Sequence, residues 1–530
     1  EGLQTSYSYD KRGLLTQRVS PDAGTTNYVY DHNGAVRFQQ DANLAAATRY
    51  LELTYDFAGR KTLERTCSGS LPTSLTATCS SPQQAIVYTY DDGSVGSGVS
   101  FTVNNPLGRL TKVDFQGGYY LYSYNNDGHV ERMYNKLDGL SARTIHYLYN
   151  WQGEIIYRYM SGDSHRWWFT YNELGQLDLV RTNTSTTPQT DADYSYWPAG
   201  MVQTEELGSQ TIDFDYDARD RLTSINDVAN SSHPFSADYS YLANGNINVA
   251  QYHQPSSPHS DKRYRFTHSY DNRNQLTQAD YTYWNGAGWS TSTEFDLSSV
   301  SYDLDGNMTA LTRQYEGEKV YTYSYLPNKN LLDDIVKNST AIGFTHDANG
   351  NVTTIGSGYD ITTTVYDWRN LPTSMTKSGT TTYNYRYDHA GLRVYKEEGA
   401  DIHTLRGAYG EALATYRDGS LDYWNILRPD GTVIGRRDSG GRLYYIRDHL
   451  GSTRAIINST GGVEQTYDYY PFGLDMPQRM SQTGDYARER FTGHERDEEV
   501  GLDYMQARRY AAEFGRFLSV DPLADQYPNH

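Results

Sequence analysis

Few residues in this 530-residue chain are placed to do chemistry, and their spacing decides between roles. The two cysteines, Cys67 and Cys79, bracket a segment, 68–78, that is rich in Ser, Thr and Leu. Two thiols flanking one short loop predict a loop-closing disulfide and an oxidising, extracytoplasmic setting; the alternative is two unrelated reduced thiols. Of the 14 histidines, His233, His253, His259 and His268 share one Ser- and Pro-containing neighbourhood but lack the tight spacing of a metal site. They read as loop histidines, and neither a metal nor any other cofactor is expected. Arg166-Trp167-Trp168-Phe169 forms an aromatic cluster on a predicted strand. Such a cluster stacks on sugar rings if exposed, while packing within a sheet is the better reading of it. There is no phosphate-cradling glycine loop, no Cys-x-x-Cys and no Gly-x-Ser-x-Gly.

Bulk composition excludes several classes of partner. A formal net charge of -19 opposes binding to nucleic acid or anionic membrane, because both require clustered Lys and Arg. No run of 18 apolar residues or signal peptide is visible, so no membrane span is expected. Tyr9-Asp10 already lies inside a repeat, and the chain reads as a piece of a longer one. Hydrophobic residues make up only 37% of the chain, yet 51 Tyr and 8 Trp argue against disorder. Those rings bury large areas while keeping a polar edge, which suits a sheet with a tyrosine-lined, partly wet face.

The elements that must carry these residues are repeats. A unit of the form aromatic-x-Tyr-Asp-x-x-Gly-x-Leu/Val recurs along nearly the whole chain. Examples are Tyr9-Asp10 with Gly13, Tyr30-Asp31 with Gly34, Tyr55-Asp56 with Gly59, Tyr302-Asp303 with Gly306 and Tyr387-Asp388 with Gly391. Asn replaces Asp at Tyr124-Asn125, Tyr149-Asn150 and Tyr171-Asn172, and Trp or Leu does so at Trp197, Leu242 and Leu326. Segments such as Tyr383-Asn384-Tyr385-Arg386-Tyr387 alternate with the period of a strand. The Asp or Asn can accept bonds from backbone amides two residues on, and the Gly supplies a positive φ, so each unit predicts two strands and a turn. At about 22 residues per unit the chain holds on the order of 40 strands. Spaced by roughly 4.8 Å, they make a ribbon about 200 Å long, on the order of 60 Å across as a closed ring and narrower as a spiral. Sheets that long curl, and spiralling hides their edges. The predicted fold is therefore all-β: one long spiralling antiparallel sheet forming a hollow shell. Helix is scarce, with Glu495–Glu499 between Gly493 and Gly501 as one prospect.

From about Tyr444 the pattern changes. Tyr445-Ile446-Arg447-Asp448-His449-Leu450-Gly451-Ser452-Thr453-Arg454 is followed by Tyr467-Asp468-Tyr469-Tyr470-Pro471-Phe472-Gly473. Then come Phe491-Thr492-Gly493-His494-Glu495, Gly501-Leu502-Asp503-Tyr504 and Gly515-Arg516-Phe517-Leu518-Ser519-Val520-Asp521-Pro522. In this order the series closely resembles the Rhs repeat-associated core domain. The upstream units resemble the YD repeats of the same family, which includes the C components of insecticidal toxin complexes and the teneurins. The resemblance implies a repeat shell over residues 1–443 and a core domain over 444–530 that plugs one end. It implies a shell that encloses a polypeptide cargo, usually a toxin, in a secreted or cell-surface protein; in teneurins the shell belongs to an adhesion receptor. An extracellular carbohydrate-binding or adhesion module built on the tyrosine-rich strands, with cell-surface or matrix carbohydrate as partner, is the alternative.

In many members the core acts as an aspartyl autoprotease, which needs two carboxylates sharing a proton. The resemblance places Asp521 as one candidate acid. The other belongs to an Asp-Pro-x-Gly motif further on, which this chain does not reach. Where the family usually has Tyr-Tyr-Asp-Pro before Gly-Arg-Phe, this chain has Arg509-Tyr510-Ala511-Ala512, so Ala511 lacks a carboxylate. No self-cleavage, and no enzymatic role, is expected of this chain.

Overall fold

Each Tyr-Asp unit is held by two sets of hydrogen bonds that explain its residues. In the computed structural model, which describes residues 3–183, 188–226, 233–481 and 488–523, the Asp side chain closes its own turn. Asp303 Oδ1 accepts from the backbone N–H of Asp305 at 2.9 Å and of Asn307 at 2.8 Å, and the same pair recurs at Asp31, Asn150, Asp271 and Asp388. Gly306 follows at φ +86°, in the left-handed region open to glycine. Where glycine is missing, Asp220, Asn274 and Asn370 take that conformation instead, as short polar side chains can.

The tyrosine looks backward. Its hydroxyl donates to the carbonyl of the residue that begins the return strand of the preceding unit, the Leu/Val position of the motif. Tyr124 reaches Leu110 O at 2.6 Å, Tyr149 Val130 O at 2.7 Å, Tyr302 Leu276 O at 2.7 Å and Tyr387 Pro372 O at 2.9 Å. Tyr30, Tyr171, Tyr196, Tyr270, Tyr325 and Tyr366 do the same. Burial pushes the Tyr124 and Tyr302 hydroxyls up to about 12, so they remain donors through the neutral range. Tyr302→Phe is expected to cost about 1 kcal/mol in urea unfolding. Tyr124→Phe should add its own cost independently, because the two sites share no partner.

Consecutive strands pair antiparallel from Ser6–Tyr9 to Val463–Thr466, except that Leu297–Tyr302 pairs with Leu276–Trp284 past the short strand Trp289–Thr291, giving one 40-stranded sheet. The sheet winds. Strand Arg143–Tyr149, the eleventh, meets the turn before the thirty-fifth, Ala412–Arg417, where Tyr147 Oη donates to Glu411 at 2.9 Å. One turn thus takes roughly 24 strands, a circumference of about 110 Å and a diameter of about 35 Å. The separation between touching residues falls from 308 at Asn330–Asp22 to 258 at Trp167–Asn425 and 253 at Tyr444–Asp191, while the strands per turn stay nearly constant. The approach is close: a Cβ on Gly350 would lie 2.6 Å from Asp22 O. The short helix Ala42–Ala46 sits on this seam, with Asn43 Nδ2 donating to Asp347 at 2.8 Å.

After Thr466 the chain leaves the wall. Three single 3-10 turns and a small four-stranded sheet, Glu495–Asp497, Leu502–Met505, Arg508–Ala511 and Arg516–Phe517, lie against the tyrosine-bearing face of the second winding. That face is therefore the inner one: Tyr321 Oη donates to Glu513, Tyr323 Oη to Phe514 O, and Arg516 to Tyr325 Oη. The division of the sequence at 443/444 falls inside the sheet, within strand Gly441–Arg447, and the wall continues to Thr466. Residues 482–487 and 524–530 of the second segment lie outside the described residues, as do Glu1 and Gly2. The helix prospect at Glu495–Glu499 is corrected: Glu495–Asp497 is a strand. Extended backbone turns the carboxylate of Asp497 into a cluster of wall cations, an attraction that outweighs local helix propensity.

Candidate functional site

The inward segment is tied to the wall by buried charge. Asp497, fully buried, accepts from Arg393 Nη1 at 2.7 Å and Nη2 at 3.0 Å, from Lys396 Nζ at 2.8 Å, and from Arg509. Arg393 and Lys396 stand on the wall strand Arg393–Glu397, whereas Asp497 and Arg509 belong to the inner sheet. Glu495 joins through Arg393 at 2.7 Å, and Glu398 pairs with Lys396 at 2.7 Å and with Arg488. Burial alone would raise the Glu495 carboxyl, but Arg393, Lys396 and Arg488 together hold it well below the usual range. Burial pushes Glu499 up despite Lys396.

A second cluster centres on Asp468, which pairs with Arg454 at 2.9 Å and Arg479 at 2.8 Å and accepts from Tyr264 Oη. The Arg479 guanidinium lies 3.8 Å over the Tyr264 ring. A planar cation is suited to both partners, since it bonds carboxylate edge-on and stacks face-on. A third contact joins Glu513 to Lys337 at 2.6 Å. Between strands Asp401–Arg406, Ala412–Arg417 and Ser420–Leu427 and residues 488–506 there remains a cavity of about 480 Å³, lined by Arg406, Arg447, Glu489 and Glu495 among others. Burial and the neighbouring Glu495 raise the Glu489 carboxyl.

The residues singled out in the sequence fall in different places. Cys67 and Cys79 form a disulfide, Cα–Cα 5.4 Å, which staples its loop over the small core of Phe38 and Tyr50. Arg166-Trp167-Trp168 splits across the sheet. Trp167 is fully buried, its indole N–H donating to Asn425 O of the second winding at 2.9 Å. Arg166 and Trp168 lie on the opposite, outer face, because alternate side chains of a strand point to opposite sides. There Trp168 packs on Tyr157 at 5.3 Å, Tyr157 on Tyr159 at 5.3 Å and Tyr159 on His146 at 4.3 Å, so these rings turn their faces to one another.

Asp521 is 42% exposed by side chain, pairs with Arg508 at 2.7 Å, and accepts from Leu523 N–H at 2.8 Å. Those are the bonds of a turn carboxylate before Pro522. Ala511 is fully buried in the inner sheet.

The four histidines are not brought together as a set. His253 and His268 lie in strands, where burial lowers both, His268 to about 4, and His233 precedes the strand Ser236–Tyr241. Among the described residues only His259 stands with other potential ligands, Asp261 and Glu294. Its Nδ1 faces two donors, Asp261 N–H and Arg479 Nη1, both at 3.2 Å, so Nε2 carries the proton and donates to Glu294 at 3.2 Å. That tautomer leaves no lone pair for an ion, and the Arg479 cation repels one.

Sequence reading missed Arg393, Lys396, Asp468, Arg479 and Asp497 as tie points. The available signal was charge on the inward face of a strand, as at Lys396, two positions from the buried Val394.

A meander of Tyr-Asp hairpins, wound for more than one and a half turns and holding its own C-terminal segment against the inner wall, is a YD-repeat shell. Residues 200–422 match the family model of the Teneurin YD-shell. It is 25% identical over 363 residues to the tRNA3(Ser)-specific nuclease WapA of Bacillus spizizenii, covering 67% of this chain and 14% of that protein. Salivary gland surface protein 1 of Aedes aegypti is 29% identical over 253 residues, covering 44% of this chain and 7% of that one. The chain thus spans a small part of these relatives. Among solved structures, TcdB2-TccC3 without its hypervariable C-terminal region aligns over 98% of this chain and 27% of its own, with a TM-score of 0.75 at 17% identity. TcdB2-TccC3-Cdc42 aligns over 98% and 29%, with a TM-score of 0.68 at 18% identity. No helix among the described residues is long and apolar enough to cross a membrane.

Proposed function

We propose that the chain is the shell of a protein that encloses a C-terminal polypeptide cargo such as a toxin, with residues 444–530 as the plug that follows the repeat wall. The observation that carries this reading is the inward course of the chain after Thr466, fastened through Asp468 and Asp497 to residues of the wall. A chain led inward there delivers whatever follows it to the lumen side. The cavity beside the inner sheet also suits a non-committal container, since arginine, tyrosine and carboxylate side chains line much of it. A toxin-bearing protein of this kind acts outside the cell that makes it, and the Cys67–Cys79 disulfide accords with a secreted or cell-surface location.

The role is structural rather than enzymatic within this chain, because Asp521 serves Arg508 and its own turn. A carbohydrate-binding surface is the weaker reading. Its aromatic candidates on the outer face stack on each other, and Trp167 is spent inside.

The test is expression of the whole gene product beside this chain, with limited proteolysis, a denaturing gel and intact-mass analysis. A C-terminal polypeptide that resists protease until the shell is denatured is the expected result. A C-terminal region cut as fast in the native protein as in its denatured form would overturn the encapsulation reading.

A further inference from the structure

Four histidines lie where the second winding meets the first. His165 is fully buried, stacked on Trp424 at 4.9 Å with planes 7° apart and edge-on to Trp167 at 4.5 Å. Neither of its ring nitrogens has a hydrogen-bond partner. His389 packs against Tyr120 at 5.8 Å, Tyr88 at 6.2 Å and Phe115 at 6.3 Å, all from the first winding. His403 Nε2 lies 2.9 Å from Asp138 O, across a separation of 265 residues. His449 sits 4.4 Å from the Tyr239 ring. In His389, His403 and His449 the Nδ1 atom is buried without a partner.

We propose that this seam is an acid-sensitive closure: aromatic rings and carbonyls of one winding pack on neutral imidazoles that have no acceptor for a second N–H, so acidification unfastens the second winding from the first. The charges facing each ring do not supply that acceptor at His165, which meets only the cations Arg166, Arg437 and Arg442. His389 faces Asp388 and Glu64 but also Arg369; His403 faces Asp401 and Asp138 but also Arg386; His449 faces Asp448 but also Arg454 and His268. Burial lowers all four imidazoles, His165 furthest from its ordinary range. The sign follows. An opened seam takes up protons near the ordinary histidine value of about 6.5, whereas the closed seam takes them up only at lower pH. Closure is at full strength above about 6.5 and weakens as pH falls below it. The inference concerns the windings alone and does not rest on the cargo.

Hydrogen exchange read by mass spectrometry at about pH 7.5 and about pH 5, corrected for intrinsic rates, tests it on the whole chain. Peptides spanning His165–Tyr171, Asp422–Leu427 and Ser236–Tyr241 are expected to lose protection at least about tenfold at the lower pH. A variant carrying His165→Phe, His389→Phe, His449→Phe and His403→Gln, the last keeping a donor for Asp138 O, should hold its protection. Unchanged protection in the parent chain, or equal loss in the variant, would sink the proposal. If that variant does not fold, NMR titration of the parent chain's histidine ring protons decides. Rings that stay unprotonated until seam protection fails support the closure, and rings that titrate near about 6.5 with protection intact refute it.

Discussion

Asp497→Ala is expected to destabilise the chain by about 3–5 kcal/mol and to free the inner sheet from the wall. The carboxylate is fully buried and serves three cations at once: Arg393, Lys396 and Arg509. Without it, Arg393 and Lys396 keep Glu495, Glu398 and Glu499 as partners, but Arg509 loses the carboxylate it bonds and the charge that sat between wall and plug is gone. Removing one member of a buried ion cluster leaves its partners desolvated and under-compensated, which costs more than the cluster contributes net. Urea unfolding measures the loss, and trypsin should cut at Arg508 and Arg509 well before the wall unfolds. Asp497→Asn keeps the shape and some hydrogen bonding but not the charge, so a loss close to that of alanine points to charge as the cause. If Asp497→Ala unfolds at the parent urea concentration, the inner sheet is held by apolar packing and the ionic account of the plug fails.

Trp167→Ala should cost about as much, roughly 3–5 kcal/mol, for a different reason. The ring is fully buried at the seam, edge-on to Trp424 and His165, with its N–H on Asn425 O. Truncation leaves a cavity between two windings and an unmet carbonyl, and the surrounding sheets are too rigid to collapse into it. Its neighbour Trp168 provides the control. That ring lies on the outer face against Tyr157, so Trp168→Ala should cost well under half as much in the same urea titration. Equal costs would mean that the face assignment is wrong.

Both experiments probe contacts between residues far apart in the chain, and there the boundary of what the sequence discloses is plain. Asp303 with Gly306, or Asp388 with Gly391, makes its turn from residues within four positions, so spacing alone announces it. Strand alternation in Tyr321–Tyr325 is equally local, and many such units in series leave little choice but a long antiparallel sheet that curls. The bond from each tyrosine to the preceding unit was legible only as a recurring residue type. Its acceptor is a backbone carbonyl, which the sequence does not distinguish.

Other features depend on where the winding brings distant strands. Arg166-Trp167-Trp168 reads as one cluster, yet alternation divides it, and only the second winding decides that the Trp167 side is interior. Glu495–Glu499 carries the charge of a solvated helix, yet Glu495–Asp497 becomes a strand because Arg393 and Lys396, about a hundred positions earlier, stand where Asp497 must point. By itself, then, the sequence determined the repeat, its turns and the all-β class, since these rest on hydrogen bonds and side-chain periods spanning a few residues. The tertiary structure alone decided which face the tyrosines occupy, how many strands complete a turn and which charges meet inside. Those depend on the accumulated twist of the whole sheet, a quantity to which every strand contributes and which no single stretch encodes.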